Sequence, residues 1–74
     1  MKIVSEKQAK QTLRPGVIVC LSDVDYRIKE ATKDTVFAVP VEWDDERVFD
    51  DDYIEVGTPD RYTYTDFIGA VYVI

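Results

Sequence analysis

The sequence contains no histidine, a single cysteine, and apolar runs of about five residues at most. Without histidine, the side chain most often used as a general base is missing, and Cys20 lacks the imidazole that usually activates a catalytic thiol. A bilayer-spanning helix needs about 20 apolar residues, and the N-terminal stretch MKIVSEKQ has no apolar core of a signal peptide. We therefore expect a protein that is not an enzyme, uses no cofactor and does not enter a membrane.

The single cysteine also bears on the compartment. One thiol cannot form an internal disulfide, whereas a small secreted domain usually depends on several. The chain has 74 residues, of which 46% are hydrophobic, which is enough for one small core and argues against disorder. We predict a single domain over residues 1–74 in the reducing environment of the cytoplasm.

The stretch Thr35–Trp43, TVFAVPVEW, predicts the central strand of the fold. Phe37, Val39, Val41 and Trp43 fall on one face of an extended chain, and the opposite face is also apolar until Glu42. A strand that is apolar on both faces belongs inside a packed β structure. Pro40 lacks an amide hydrogen, which limits pairing on one side and predicts either a bulge there or a strand that becomes an edge beyond that point.

The other elements follow from local signals. Ser5 and Gln8 predict a capped helix over residues 6–13, which Arg14–Pro15 ends. Residues 17–21 and 24–29 predict two strands separated by a turn at Ser22–Asp23. A tight turn at Lys33–Asp34 joins the second of these to the central strand. Residues 53–56 predict a short strand, and residues 61–74 predict a last strand bent at Gly69. Met1–Val4 is either a short strand or an apolar lead-in.

These elements predict a mainly β fold: a small, strongly bent antiparallel sheet or SH3-like barrel of about five strands with one short N-terminal helix. An open α+β sheet is the alternative. The run LRPGVIVCL, followed by DYRIKEA and TVFAVPVEW, resembles the opening of SH3-like small barrels, in which a Pro/Gly turn precedes the first strand and a hairpin follows. The resemblance rests on turns and strands and carries no functional residue with it.

The charge of the protein is concentrated in one fifth of the chain. We call residues 42–55, EWDDERVFDDDYIE, the acidic segment; it carries eight acidic residues and one arginine, so its net charge is −7 in a protein whose net charge is −6. Charges of one sign repel each other and weaken a small fold. A solubilising role is one explanation; a surface that attracts a basic partner is the other.

The sequence also contains residues of the types used in metal binding and in nucleic-acid binding. Asp50, Asp51, Asp52 and Glu55 could contact a hard cation through oxygen, but consecutive residues of an extended chain point in opposite directions and the EF-hand pattern is missing. We therefore predict no metal site. Arg61, Tyr62 and Tyr64 form a basic and aromatic pattern of the kind that stacks nucleic-acid bases, yet a net charge of −6 opposes binding to phosphates.

We therefore predict a non-catalytic intracellular binding module whose acidic segment engages a basic protein surface, with no direct contact to nucleic acid. A sharper version of this prediction is that the surface imitates nucleic-acid phosphates and blocks a nucleic-acid-binding protein. In composition the chain is similar to small, acidic, histidine-free phage-encoded inhibitors of host or defence proteins. The alternatives are a structural or assembly subunit, including a homo-oligomer, and a small-barrel nucleic-acid binder. The predicted partner-binding residues are Glu42, Trp43, Asp44, Asp45, Glu46, Phe49, Asp50, Asp51, Asp52, Tyr53 and Glu55.

Overall fold

A computed structural model describes residues 1–43 and 53–74 of the chain. Within those ranges, the elements in chain order are the helix α1 (Glu6–Thr12), the strands β1 (Ile18–Leu21), β2 (Val24–Ala31), β3 (Thr35–Trp43), β4 (Tyr53–Glu55) and β5 (Asp60–Thr63), a 3₁₀ turn (Tyr64–Phe67) and the strand β6 (Val71–Tyr72). The predicted fold class is confirmed: the protein is mainly β, with one short N-terminal helix and a small antiparallel sheet. The sheet formed by the described strands does not close, so it has the bent form rather than the barrel form of that prediction.

The strand β3 lies at the centre of the sheet, as its two apolar faces predict. The sheet order is β4-β3-β2-β1-β6, and β5 pairs with β3 as well. One edge of β3 pairs along its length with β2. Its other edge is shared, because residues Thr35–Ala38 pair with β5 and residues Val41–Trp43 pair with β4.

Pro40 lies where the partner of that shared edge changes from β5 to β4. Its carbonyl accepts a hydrogen bond from the Val56 amide at 2.9 Å, so the position of its missing amide hydrogen is on this same edge. The proline therefore makes one hydrogen bond on this edge instead of two, at the point where the partner strand changes. The bulge predicted at Pro40 is absent, and β3 does not become an edge beyond it, because Val41 pairs with both Asp25 and Glu55. A register shift that was not predicted lies on β2, between Ile28 and Glu30.

The last predicted strand is divided into three parts, which is why the described sheet has six strands rather than about five. Strand β5 ends at Thr63, and Thr63 and Asp66 cap the following 3₁₀ turn, with the Thr63 amide donating to Asp66 Oδ2 at 2.8 Å. Gly69 then adopts a φ of +98°, a conformation that favours glycine. The bend predicted at Gly69 is present, and β6 after it pairs with β1.

The helix begins where the sequence predicts. The Ser5 side chain accepts a hydrogen bond from the Gln8 amide at 3.2 Å. The return bond of the capping box is displaced by one residue, because Gln8 Oε1 accepts from the amide of Val4 rather than that of Ser5. Ala9 and Leu13 are the helix-region residues that enter the core.

The sheet carries buried apolar residues on both faces. The larger group, which we call the helix-side cluster, lies beneath α1 and comprises Ile3, Ala9, Leu13, Val19, Ile28, Val36, Ala38, Tyr64, Phe67 and Ala70. The smaller group, which we call the far-side cluster, comprises Ile18, Val39 and Val41, with Tyr53 and Val73 packed against them. Adjacent residues of β1 and β3 fall in different clusters because successive side chains of a strand point to opposite faces.

Candidate functional site

The acidic segment begins and ends in the paired strands β3 and β4. Glu42 pairs with Ile54 and Trp43 pairs with Tyr53 in an antiparallel register. Of the predicted partner-binding residues, Glu42, Trp43, Tyr53 and Glu55 are therefore placed by the structure. The others, Asp44, Asp45, Glu46, Phe49, Asp50, Asp51 and Asp52, lie outside the described residues.

Among the described aromatic residues, Trp43 is the most exposed, and Tyr72 is the other one at the surface. Trp43 is 55% exposed, although it ends the central strand of the sheet. Its ring meets that of Tyr53 edge to face, with 5.2 Å between the ring centroids and an angle of 79°. Such an arrangement holds an indole in a defined orientation while leaving much of its surface accessible.

Tyr53 has the opposite role. It is half-buried and packs against the far-side cluster. This burial raises the pKa of its phenol above the ordinary value. The charges of Asp25 and Cys20 act in the same direction. Tyr53 therefore links the end of the acidic segment to the core, and Trp43 packs on it from outside.

The charge of Glu55 is compensated within the protein. Its Oε2 atom lies 2.7 Å from Lys29 Nζ and 3.2 Å from Arg27 Nη1, and Arg27 Nη2 also donates to the Tyr53 carbonyl at 3.0 Å. The hydrogen bond from Lys29, followed by the other contacts with both cations, lowers the pKa of Glu55 below its ordinary value. This carboxylate joins β4 to β2.

Two acidic residues near Trp43 were not among the predicted site residues. Asp23, in the turn before β2, and Asp25, in β2, line one cleft together with Glu42 and Trp43. Asp23 has a φ of +66° in the tight turn between β1 and β2, and Asp25 pairs with Val41. Charged and apolar residues alternate along β2, which indicated that Asp25 belongs to a strand. The sequence did not show which part of β3 would lie beside these carboxylates.

Cys20 is half-buried rather than fully buried. It pairs with Asp25 across β1 and β2, and both lie on the far side of the sheet with Tyr53. Burial, a hydrogen bond to Asp25 and the charge of that carboxylate raise the pKa of the thiol. A raised pKa keeps the sulfur protonated and makes it a poor nucleophile.

The aromatic residues named for nucleic-acid stacking are engaged in the core. Tyr64 is 5% exposed, and its hydroxyl donates a hydrogen bond to the Thr32 carbonyl. Tyr62 is half-buried and packs edge to face against Tyr26 and Phe67, with ring centroids 5.8 Å and 5.3 Å away. The ring of Tyr64 is thus not available for stacking on a base, and that of Tyr62 is largely occupied.

Metal ligation and membrane insertion have no candidate in the part of the chain that is described. Residues 1–43 and 53–74 bring together no group of three or more acidic or cysteine side chains suited to hold a metal ion. Over the same ranges, no helix is both long enough and apolar enough to cross a membrane.

Comparison with known proteins adds no identity to this geometry. No protein-family model, no curated protein and no solved structure matches the chain. The functional argument therefore rests on the residues themselves.

Proposed function

We propose that the protein is a non-catalytic intracellular binding module that uses the acidic segment to engage a basic protein surface. The observation that carries this proposal is the exposure of Trp43, an indole 55% open to solvent at the first boundary of the most acidic stretch of the chain. Tryptophan is among the residues that contribute most to binding energy in protein interfaces. Residues 44–52, which directly follow it in sequence, carry six acids and one arginine.

The two kinds of side chain have complementary roles in binding. Carboxylates attract a basic surface over a distance of about 10 Å at moderate salt and raise the rate of encounter. They contribute less to the lifetime of a complex, because exposed ion pairs are worth about 1 kcal/mol or less. An exposed aromatic ring contributes area that leaves water on binding, which lengthens the lifetime.

A sharper form of the proposal is that the acidic segment imitates nucleic-acid phosphates. A nucleic-acid-binding protein presents arginine and lysine side chains in the spacing of a phosphate backbone. A surface with a net charge of −7 over 14 residues would occupy that protein in place of its nucleic acid. The partner would then be released by competing duplex DNA.

The experiment is affinity capture from a cell lysate with two variants that lose the same charge. The test variant carries Asp50→Asn, Asp51→Asn and Asp52→Asn. The matched control carries Glu6→Gln, Glu30→Gln and Asp34→Asn, three exposed acids in other parts of the fold. Each variant loses three negative charges, so a difference between them reports position rather than net charge.

We expect a basic protein that the native chain and the control retain and that the test variant retains about tenfold less. The retained amount should fall steeply as salt rises, and duplex DNA should elute the protein. Equal retention by both variants would show that the acidic segment has no specific role. Elution by salt but not by DNA would remove the sharper form and leave the binding module.

A second candidate function is that of an assembly subunit, and one edge of the sheet favours it. Residues 1–3 lie beside β6, with Lys2 bridged to Val71 and the Tyr72 amide donating to the Met1 carbonyl at 2.8 Å. Exposed apolar side chains concentrate in these two terminal segments: Met1, Val4, Ile68, Val71, Tyr72 and Ile74. Concentration-dependent sedimentation that Tyr72→Ser abolishes would support self-association through this edge.

A further inference from the structure

The N-terminal segment that contains α1 has the opposite charge to the acidic segment. Residues 1–14 include four basic residues and one acidic residue, so their net charge is +3, whereas that of the acidic segment is −7. The basic residues Lys7 and Lys10 of α1 line one open groove with Glu6, Gln11 and, just after the helix, Arg14. We call the surface formed by Lys7, Lys10, Gln11 and Arg14 the basic helix face.

Two of the three cations of the basic helix face have no acidic partner among residues 1–43 and 53–74. Lys10 Nζ lies 3.6 Å from Glu6 Oε1 and 5.7 Å from the centre of the Tyr64 ring. Lys7 and Arg14 are exposed and make no ion pair with a described residue. Their charges are therefore available to a negative partner.

The basic helix face and the acidic segment lie at opposite ends of β3. Lys10 lies over Tyr64, whose hydroxyl donates to the Thr32 carbonyl just before β3 begins. The acidic segment begins at the other end of the same strand, at Glu42. The nine residues of β3 span about 26 Å along the strand. The protein therefore has one positive end and one negative end.

We infer that the basic helix face binds the acidic segment of a second copy of this chain in a head-to-tail contact. The inference rests on the proposed function and names a second copy as the basic protein that the acidic segment engages. Neighbouring side chains on one side of a helix lie about 5–6 Å apart. A segment that binds there in an extended form presents a carboxylate about every 6.6 Å on one side, so the two rows of charge have similar spacing.

A head-to-tail contact joins two different surfaces, so each copy in a pair keeps one unused surface. Such a contact continues to further copies, whereas a twofold contact stops at a dimer. Exposed ion pairs contribute little each, so the association is weak and is measured at about 1 mM protein. The salt concentration is about 0.1 M, at which the repulsion between two negative proteins is screened beyond about 10 Å.

The first measurement is the NMR diffusion coefficient of the full chain as a function of protein concentration. The test variant is Lys7→Gln, Arg14→Gln, in which glutamine keeps the helix propensity of the cations. We expect the native chain to diffuse more slowly as its concentration rises, and the test variant to lose most of that dependence.

The matched control is Lys2→Gln, Arg61→Gln, which loses the same two positive charges and therefore repels itself as strongly as the test variant. Lys2 is bridged to Val71 and Arg61 pairs with Phe37. Strand alternation places these side chains on the far side of the sheet, away from α1. We expect the control to keep the concentration dependence of the native chain.

A mixing experiment tests the two surfaces against each other. The isotope-labelled chain carries Asp50→Asn, Asp51→Asn and Asp52→Asn and keeps the basic helix face. The unlabelled chain carries Lys7→Gln and Arg14→Gln and keeps the acidic segment. We expect the amide signals of residues 7–14 of the labelled chain to move on mixing. They should move several-fold less when the unlabelled chain carries both sets of substitutions, and they should return as salt rises to about 1 M.

Equal concentration dependence in the test and control variants would overturn the inference, and so would amide signals of residues 7–14 that do not respond to mixing. An effect of Lys7→Gln, Arg14→Gln on diffusion that does not depend on concentration would also overturn it, because the charge contact would then lie within one chain. Association that Tyr72→Ser abolishes and that the charge variants leave unchanged would belong to the sheet edge instead.

The outcome is separable from that of the proposed function, because the variant Lys7→Gln, Arg14→Gln keeps the acidic segment. If this variant retains a basic protein from the lysate and also associates as its control does, the binding module stands and the contact between copies does not. If the mixing experiment succeeds while the Asp50–Asp52 variant retains every lysate partner, the contact between copies stands and the engagement of another basic protein does not.

Discussion

The two faces of the sheet differ in how their buried residues are supported. The helix-side cluster has ten buried members, which come from the N-terminal segment, the helix region, the strands β1, β2 and β3, the 3₁₀ turn and the residue before β6. The far-side cluster has three, and charged residues adjoin it, since Arg27, Lys29 and Glu55 form an ion-pair group next to Tyr53. The comparison teaches that stability resides mainly on the first face, whereas the far side can present exposed and charged groups.

Physical reasons for this difference are visible in single residues. Phe67 is fully buried and makes edge-to-face contacts with Tyr26 and Tyr62, at 5.8 Å and 5.3 Å between ring centroids. Trp43 is larger but more than half exposed, and its one described ring contact is with Tyr53. Apolar area removed from water contributes about 25 cal/mol per Å², so the smaller ring contributes more to the fold.

The largest effect is expected on replacing Phe67. Phe67→Ala should lower the free energy of unfolding by about 3–5 kcal/mol, because it removes a buried ring and leaves a cavity. Trp43→Ala should lower it by about 1 kcal/mol or less, because that ring is largely exposed already. Urea denaturation followed by circular dichroism measures both.

Phe67→Leu is the milder substitution for the case in which the alanine variant does not fold. It should cost about 1–2 kcal/mol and leave the circular dichroism spectrum unchanged. Equal losses from Phe67→Leu and Trp43→Ala would contradict the division into a supporting face and an exposed end.

An intermediate effect is expected on removing Val73 and Ile74. The Val73 amide donates to the Ile18 carbonyl at 2.8 Å, and the Ile18 amide donates to the Ile74 carbonyl at 2.8 Å. Val73 also packs on the far-side cluster. The Ile74 amide also donates to the Ile18 carbonyl, at 3.2 Å. Loss of these three hydrogen bonds and one apolar contact should cost about 2–4 kcal/mol, which is enough to unfold a domain of marginal stability.

The melting temperature of the shortened chain checks this expectation. Ile74→Ser in the full chain is the control, because it keeps the backbone bonds and changes a side chain that is 56% exposed. A shortened chain that melts at the native temperature would show that the far-side cluster does not support the fold.

The smallest effect is expected on the pH dependence of stability. The pKa of Glu55 is lower in the folded protein than its ordinary value of 4.5, so the carboxylate stabilises the fold above that pH. This contribution is lost as the pH falls through the folded-state pKa. The native chain should therefore be more stable than Glu55→Gln at neutral pH, with the difference disappearing in acid.

Urea denaturation between neutral pH and pH values below 4.5 measures that difference. Glu30→Gln, on the same strand as Lys29, is the control and should not reproduce it. A native-minus-variant difference that is constant with pH would mean that the contacts of Glu55 with Lys29 and Arg27 do not affect folding.

Local signals in the sequence predicted the elements well where one residue type enforces a conformation. Ser5 caps the start of the helix. Pro15–Gly16 forms the turn after the helix, with Gly16 at a φ of +94°, and Gly69 marks the bend near the C-terminus. The limits of β3 agree with the prediction residue for residue. The division of residues 61–74 was not predicted, because Tyr62 and Tyr64 alternate with threonines as in a strand although Tyr64 begins a 3₁₀ turn.

The neighbours of Trp43 depend on one shift of register. In the hairpin of β2 and β3, Glu30 pairs with Phe37 and Ala31 with Val36, a register that would place Asp25 opposite Glu42. The shift between Ile28 and Glu30 places Asp25 opposite Val41 instead. No residue in the sequence around Lys29 indicates a bulge, because nothing there needs a positive φ.

The sequence by itself determined the fold class, the central strand and the concentration of negative charge, since these depend on alternation, turn residues and composition within short stretches. Only the tertiary structure decided that Trp43 is exposed, that Tyr64 is buried, that Glu55 pairs with Lys29 and that Asp23 and Asp25 border the same cleft as Glu42. These facts depend on which strands meet and in which register. Such contacts join residues far apart in the chain, and their choice is a property of the whole packed sheet.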